Sequence, residues 1–320
     1  MGVDNKIISV VVPCYKAEHL LRPLTERITS TINAREGYDY EIIYVNDSPF
    51  DQGTTDIIDQ LCAEDKKIIG VHQLKNFGQD IARITGMHYA TGDVVINMDD
   101  DGEHPPEEMF KLIEKVEEGY DVVYAEFVQK KHPFLKRMTS RINAKVMDFL
   151  DNKMKGVDTT AYVAYSKICA QKITEYKSPF PVISSYVYQI TDKMVMVPIV
   201  HNERIAGETG YTTLKRIMLE LSVMTSFSIK PLRASAFMGV LIALLGFIWA
   251  IVTIIRHFVD PELTMGYASM LSVMLILGGL ILCILGLIGE YLGRIYMIIN
   301  DKPQFVVRRV ENSAGTEKEK

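Results

Sequence analysis

Short apolar, β-branched runs recur along the amino-terminal part of the chain, with helical patterns between them. Ile7 to Val12 is the first run and Tyr40 to Val45 the second. Lys67 to Val71, Asp93 to Met98 and Asp121 to Phe127 follow. Runs of this length, rich in Val and Ile, predict buried strands. Ala17 to Ala34 carries Leu20, Leu21, Leu24, Ile28 and Ile32 at helical spacing, and Thr54 to Cys62 and Asp80 to Ala90 read as two more helices. Strands alternating with helices at this interval predict a doubly wound, mostly parallel α/β sheet. Pro13 is expected to end the first strand.

The carboxy-terminal pattern is different. Ala236 to Ile255 and Gly266 to Gly289 contain no charge. At a rise of about 1.5 Å per residue, roughly 20 such residues cross a hydrocarbon core. Two transmembrane helices are therefore expected, and they account for the 48% hydrophobic content. Two amphipathic stretches precede them. In one, Lys130, Lys131, Lys136, Arg137, Arg141 and Lys145 alternate with Phe134, Leu135, Met138, Ile142 and Met147. The other, Tyr211 to Ile229, has Leu214, Ile217, Met218, Leu221 and Met224 opposite Lys215 and Arg216. Both read as surfaces for an anionic lipid interface. Lys215, Arg216, Lys230 and Arg233 precede the first span, and Arg294, Lys302, Arg308 and Arg309 follow the second. The positive-inside rule then places both long ends in the cytoplasm of a multi-pass inner-membrane protein. Glu290 and Arg294, one turn apart, are expected to pair. Gly278, Gly279, Gly286 and Gly289 permit close helix packing and a homo-oligomer. Four units follow: a catalytic domain over 1–210, a juxtamembrane helix over 211–233, a two-helix membrane region over 234–299 and a cytoplasmic tail over 300–320, polar and expected to be disordered from Ser313 onward.

Candidate chemistry concentrates in one acidic stretch, Asn97 to Pro106, which contains Asp99, Asp100, Asp101 and Glu103. Carboxylates crowded at a strand end repel one another, and a divalent cation with oxygen ligands relieves that repulsion. Side chains two apart on an extended segment point the same way, so Asp99 and Asp101 can share one ion. The alternative is a solvated acidic turn. The loops after the earlier strands are expected at the same sheet edge. They carry Tyr15 and Glu18, then Asn46 and Asp47, then Asn76, Gly78 and Asp80. No GxGxxG or GxxxxGK[ST] occurs, which disfavours a dinucleotide oxidoreductase or a P-loop enzyme. Cys14, Cys62, Cys169 and Cys283 form no CxxC pair, which argues against a zinc site. The net charge of -5 gives no support for nucleic-acid binding. The amino terminus lacks the pattern of a signal peptide.

Val11 to Glu18 resembles the VVPxYNEE opening of inverting glycosyltransferases with the GT-A fold. Val45 to Pro49 resembles their second-strand aspartate loop, and Asn76 to Gly86, with Gly78 and Ala82, resembles their N-x-G-x-x-x-A-x-x-x-G segment. Met98 to Glu107 is similar to MDADLQHPPE, which contains the metal-binding DxD. Further on, His201 to Tyr211 resembles an RxxGxSKY signature, and Thr225 to Arg233 is similar to the TSFSxxPLR that leads into a first membrane helix. These last two point to the polyisoprenyl-phosphate branch of the family. There are departures. Lys16 stands where that family usually has Asn, and Ala17 where it often has Glu. Glu103 replaces Gln, and Gly210 replaces the Lys of SKY. Thr160 to Val163 matches the stretch that commonly reads GDFR or SSFR, so Ala161 and Val163 replace an acid and an Arg.

The resemblance implies an α/β, GT-A (Rossmann-like) mostly parallel sheet domain followed by amphipathic interface helices and two transmembrane helices. It implies sugar transfer from a nucleotide-sugar to a polyisoprenyl (undecaprenyl) phosphate, with inversion, at the cytoplasmic membrane face. Asp99 and Asp101, with Glu103, would hold Mg²⁺ or Mn²⁺. Pro13, Tyr15, Glu18, Asp47, Asn76, Gly78, Asp80, Asp99 and Asp100 would line the nucleotide-sugar site. Asp101 and, for the acceptor phosphate, Arg137, Arg141 and Arg204 would carry the reaction. Two alternatives stand beside this reading. A catalytically degenerate scaffold is suggested by Ala161, Val163 and Gly210. A processive polysaccharide synthase is disfavoured because the one tryptophan, Trp249, lies inside an apolar run and supplies no QxxRW motif.

Overall fold

The structure is a computed structural model and describes residues 5–127, 159–178, 181–200, 230–259, 266–300 and 303–312. The chain forms two compact units. One comprises Met1–Gly210 with Pro303–Lys320, the other Tyr211–Lys302.

The first unit is an α/β layer structure. In chain order it contains β1 (Lys6–Cys14), α1 (Leu21–Asn33), β2 (Tyr38–Asn46), α2 (Gln52–Glu64), β3 (Ile68–Gln73), α3 (Gln79–Tyr89) and β4 (Val94–Asn97). Then come a 3₁₀ turn (Pro106–Glu108), α4 (Met109–Glu117), β5 (Val122–Phe127), β6 (Val163–Ser166), α5 (Lys167–Glu175), α6 (Ile183–Ile190) and β7 (Met194–Ile199). Among the described residues the strands form one sheet in the order β7-β5-β6-β4-β1-β2-β3-β8, where β8 is Val307–Glu311. β1 pairs in parallel with β2 and β4, β2 with β3, and β5 with β7. β6 runs antiparallel between β4 and β5, and β8 runs antiparallel to β3.

The central strands are buried on both faces, which is why they read as continuous apolar runs. Val10, Val11, Val12, Ile42, Ile43 and Val45 are fully enclosed. α3 lies directly on β1 at Gly86, where an added Cβ would come within 2.3 Å of a Val11 methyl. α2 is capped by the Asp51 carboxylate, which accepts the Thr54 N–H at 3.0 Å.

Three expectations are corrected. Pro13 does not end β1, which continues to Cys14 and pairs Pro13 with Val45 of β2. The β1–β4 ladder has already stopped at Val11, so the missing proline N–H breaks nothing on that side. The first helix starts at Leu21 rather than Ala17, because Lys16 is in the left-handed region with φ 55°. The carboxy-terminal segment is not only a tail: Val307–Glu311 adds the edge strand β8. Asn312 anchors it by donating to the Cys62, Asp65 and Ile68 carbonyls, and Arg309 pairs with Asp59 at 2.5 Å. The basic stretch over 130–145, the segment over 211–229 and the residues from Ser313 onward lie outside the described residues.

The second unit contains α7 (Lys230–Val259) and α8 (Tyr267–Ile299). Apolar side chains such as Phe237, Trp249, Leu282 and Leu292 face outward on them. Glu290 and Arg294 form the expected ion pair at 2.7 Å. Two membrane-crossing segments were expected. Among the described residues one, Ile276–Ile299, is long and apolar enough, while Ser235–Trp249 is apolar but shorter. Charge brackets α7, with Lys230 and Arg233 before its apolar stretch and Arg256 after it.

Candidate active site

Parallel strands place their carboxyl ends on one edge, and the loops after β1, β2, β3 and β4 are hydrogen-bonded to one another there. The Asp47 carboxylate, after β2, accepts the Phe77 N–H at 2.7 Å and the Gly78 N–H at 2.9 Å, both after β3. Burial pushes Asp47 above the ordinary carboxylate range, against the pull of those two amides. Gly78 has φ 93°, a conformation that turns its amide toward Asp47 and that a side chain disfavours. Asn46 accepts the Ser48 N–H at 2.9 Å, and Ser48 Oγ accepts the Lys16 N–H at 3.1 Å, joining the second loop to the first. The Tyr15 ring is 56% exposed, flat apolar surface at the mouth of these loops. Asn76 is exposed. The Glu18 carboxylate instead lies against Gly53 at the start of α2.

The acidic stretch follows β4. The Asp100 carboxylate accepts the Tyr15 N–H at 3.1 Å, and burial, with Asp99 and Asp101 beside it, pushes its pKa up to about 7. Asp101 accepts the Glu103 N–H at 3.1 Å. Asp99 accepts from Gln79 at 2.8 Å and from Arg83 at 2.7 Å. His104 is buried and stacked between Phe127 and Tyr162. Its Nδ1 accepts the Asp99 N–H at 2.9 Å. The proton is thereby assigned to Nε2, which lies 4.0 Å from the Asp99 carboxylate. Tyr162 donates to the Pro105 carbonyl at 2.8 Å, so an aromatic layer supports the whole acidic turn.

The carboxylate set suits a hard divalent cation: its donors are oxygen only, and of Asp99, Asp100, Asp101 and Glu103 only Asp99 is bonded to the Arg83 guanidinium. Among the described residues no three His, Cys, Asp or Glu side chains are grouped closely enough to hold an ion unaided. A cation held here would take further oxygens from water or a bound ligand, as open magnesium sites do.

Next to Arg83, the partner of Asp99, lies a half-open pocket of about 180 Å³. Arg83, 11% exposed, reaches it from α3, bridging Asp99 and, at 3.3 Å, Asp80. Burial lowers the guanidinium pKa and the two acids raise it, with a net rise. Asp80 is pushed up by burial despite Arg83. Asn97, at the end of β4, and Tyr124, on β5, also line the cavity, with Thr160 and Ala161 across from them.

Tyr15, Asp47, Gly78, Asp99, Asp100 and Asp101 therefore converge as expected, whereas Glu18 sits against α2. Arg137, Arg141 and Arg204 lie outside the described residues. Gln79, Arg83, Asn97, His104 and Tyr162 were not singled out from the sequence. For Arg83 a signal existed, since it follows Asp80 by three residues on one helix face. For His104 its place in the stretch similar to MDADLQHPPE was a signal, whereas its stacking on Tyr162 joins segments far apart in the chain.

Residues 9–176 match the family described as Glycosyl transferase family 2, and residues 230–295 match the GtrB C-terminal hairpin. An uncharacterized glycosyltransferase of Bacillus subtilis (strain 168), YkcC, is 31% identical over 94% of this chain and 93% of its own length. The undecaprenyl-phosphate 4-deoxy-4-formamido-L-arabinose transferase of Enterobacter sp. (strain 638) is 30% identical over 98% of this chain and 96% of its own. That of Klebsiella pneumoniae (strain 342) is 29% identical over 97% and 95%. Among solved structures, Mycobacterium tuberculosis glucosyl-3-phosphoglycerate synthase in complex with Mn²⁺, UDP and glucosyl-3-phosphoglycerate has a TM-score of 0.48 at 16% identity, over 69% of this chain and 78% of that one. The chain belongs to glycosyl transferase family 2, and it is a glycosyltransferase.

Proposed function

We propose that this protein transfers a sugar from a nucleotide-sugar to undecaprenyl phosphate at the cytoplasmic face of the inner membrane, with inversion and with a divalent cation. One observation carries the reading. Relatives named for an undecaprenyl-phosphate acceptor align with nearly the whole chain, membrane hairpin included. In this reading α7 and α8 are two membrane spans, the termini are cytoplasmic, and the units follow the bounds expected from the sequence except that Val307–Glu311 belongs to the sheet of the first unit. Association into a homo-oligomer is compatible with it.

Tyr15 offers a face for the nucleotide base. Asp47 holds the second and third loops together around base and ribose, with Pro13, Asn76 and Gly78 shaping the wall and Glu18 set at its margin. Asp99 and Asp101, with Glu103, would hold Mg²⁺ or Mn²⁺, and Asp100 keeps the turn tied to Tyr15. Bound there, the ion supplies positive charge against the leaving nucleoside diphosphate. A lipid phosphate oxygen attacks the anomeric carbon from the face opposite the diphosphate. The new C–O bond forms as the bond to the diphosphate oxygen breaks, and the electron pair leaves with the diphosphate. A phosphate monoester, with a second pKa of about 6, is already largely deprotonated at neutral pH. No protein base is then needed, which accommodates Ala161. Arg137, Arg141 and Arg204 are proposed to position the acceptor phosphate through bidentate hydrogen bonds.

The test is transfer by the full chain in detergent with undecaprenyl phosphate and Mn²⁺. UDP-glucose, UDP-N-acetylglucosamine and GDP-mannose are offered separately, and lipid-linked sugar is read by mass spectrometry. Product formed by wild type and lost in Asp101→Asn is the expected result. Metal-independent transfer, or a product with retained anomeric configuration, would overturn the corresponding part of the mechanism.

A further inference from the structure

The strand β8 covers an edge of β3 that would otherwise be open. Its contacts go further than that task requires. It belongs to a strap over residues 304–312, fastened to the first unit at both ends. The Gln304 side chain donates to the Ser178 carbonyl at 3.0 Å, and Phe305 meets His88 of α3 edge to face. Asn312 closes the far end on the Cys62, Asp65 and Ile68 carbonyls. It does so from a left-handed backbone, φ 58°, which Asn tolerates better than most residues. Between these ends the pairing register shifts opposite His72 and Gln73. A shift of this kind re-aims side chains, and Arg309, paired with His72, reaches Asp59.

Two routes lead from this strap to the loops of the candidate site. The first is backbone. The Leu74 N–H donates to the Val306 carbonyl at 2.8 Å. That bond fixes the chain at the start of the loop whose Phe77 and Gly78 amides hold Asp47. The second route runs through side chains. Arg309 pairs with Asp59 of α2 at 2.5 Å, and Asp59 Oδ1 lies 3.1 Å from Nε2 of the buried His72. His72 Nδ1 lies 3.3 Å from Asn46 Nδ2. The orientation of that amide is set by its Oδ1, which accepts the Ser48 N–H at 2.9 Å. Nδ2 therefore donates to Nδ1, and the proton of neutral His72 sits on Nε2, toward Asp59. Ser48 Oγ in turn accepts the Lys16 N–H at 3.1 Å. Both routes end at Asp47 or its immediate neighbours.

We propose that this strap is a positioning element for the candidate site: its docking sets the loops after β2 and β3, with Arg309, His72 and Asn312 as positioning residues. Taking the nucleotide-sugar reading above as its basis, the strap thereby raises donor affinity without being a ligand of the donor. Coupling between two sites is reciprocal, so a bound nucleoside diphosphate in turn holds the strap more tightly. A strand that only covered the β3 edge would show neither effect.

The experiment uses the full chain in detergent with Mn²⁺, as wild type, Arg309→Gln, Arg309→Lys and Asn312→Gly. Hydrogen exchange is followed by mass spectrometry over 74–78 and 307–311, with 121–127 as the internal control. Affinity for UDP and for GDP is measured by calorimetric titration. Asn312→Gly removes the side chain and keeps a backbone that accepts a positive φ. In Arg309→Gln and Asn312→Gly, exchange over 74–78 is expected to be roughly fivefold faster and diphosphate binding roughly fivefold weaker, the lower end of coupling between sites. Exchange over 121–127 stays unchanged, and Arg309→Lys, which keeps the charge, stays near wild type. In wild type the diphosphate slows exchange over 307–311. Unchanged exchange over 74–78, or unchanged affinity with the strap released, would overturn the proposal and leave β8 as an edge cover. Exchange that accelerates equally over 121–127 would also overturn it, since the whole domain would then be loosened. Failure of folded wild type to bind either diphosphate would sink the parent reading. Exchange over 74–78 in the variants would then still decide whether the strap sets the loops.

Discussion

The two halves of the site are built in opposite ways. On the loop half, the acids and amides are engaged with one another: Asp47 with two backbone N–H groups, Asn46 with Ser48, and Asp100 with Tyr15. On the pocket half, which is half open, the Tyr124 hydroxyl and Arg83 Nε have no partner within the protein, and the Asn97 amide faces the Tyr165 hydroxyl. A paired network fixes loop geometry before any ligand arrives, whereas an unpaired one holds its hydrogen-bonding capacity for a ligand. One half contributes stability and shape; the other leaves polar groups without partners in the protein.

Substitution at Asp47 breaks this contrast most directly. Asp47→Ala strands two amides in a buried setting and is expected to cost about 2–4 kcal/mol, read as a lower thermal midpoint and weakened nucleotide binding. A midpoint equal to wild type would show that the loops are held by other means. Asn97→Leu should have the opposite sign. Removing an unsatisfied amide of similar volume is expected to leave stability unchanged or raise it by about 1 kcal/mol, in the same melting experiment. A large loss would mean that Asn97 is paired in the folded state. Lys16→Asn relieves a left-handed residue that a long side chain disfavours and is expected to stabilise by roughly 0.5–1 kcal/mol. Asn at this position is also what the family usually carries.

The smallest effect is expected with pH. His72 on β3 is buried and its pKa is lowered, first by burial and then by Arg309 on β8, while Asp59 on α2 and Glu311 on β8 pull the other way. Its Nδ1 lies 3.3 Å from the Asn46 amide, and its Nε2 lies 3.1 Å from Asp59, an ion-pair distance without hydrogen-bond alignment. The unfolded chain takes up the proton first. Stability from neutral His72 is therefore full above the ordinary value of about 6.5 and declines as the pH falls through it. Melting between pH 8 and pH 5 should show a shallower decline in His72→Gln. Equal slopes in the two proteins would remove His72 from the account.

Much of the first unit was legible because its signals are local. Each of the parallel strands β1 to β4 announces itself by a run of Val and Ile and is followed by a loop at the known edge, whereas β7, also parallel, was not read as a strand. The antiparallel insertion of β6 between β4 and β5 was not legible, since nothing in Val163–Ser166 records which strands flank it. The strand β8 was hidden in a polar tail with two adjacent arginines, because its apolar alternation spans only Val307 and Val310. Asp99 shows the same limit within the site. Its spacing from Asp101 suggested a shared ion, but its bonds to Gln79 and Arg83 depend on how α3 packs against β1 and β2.

Composition, periodicity and motif order by themselves determined the fold class, the apolar carboxy-terminal helices and the carboxylate chemistry of the turn after β4. They could do so because burial of apolar runs and repulsion among adjacent acids act over a few residues. Only the tertiary structure decided which acids are braced and which face open space, that His104 supports Asp99 from between two rings, and that Asn97 and Tyr124 share a cavity with Arg83. Those outcomes depend on packing between segments far apart in the chain, where a shift of one register exchanges a paired polar group for an unpaired one.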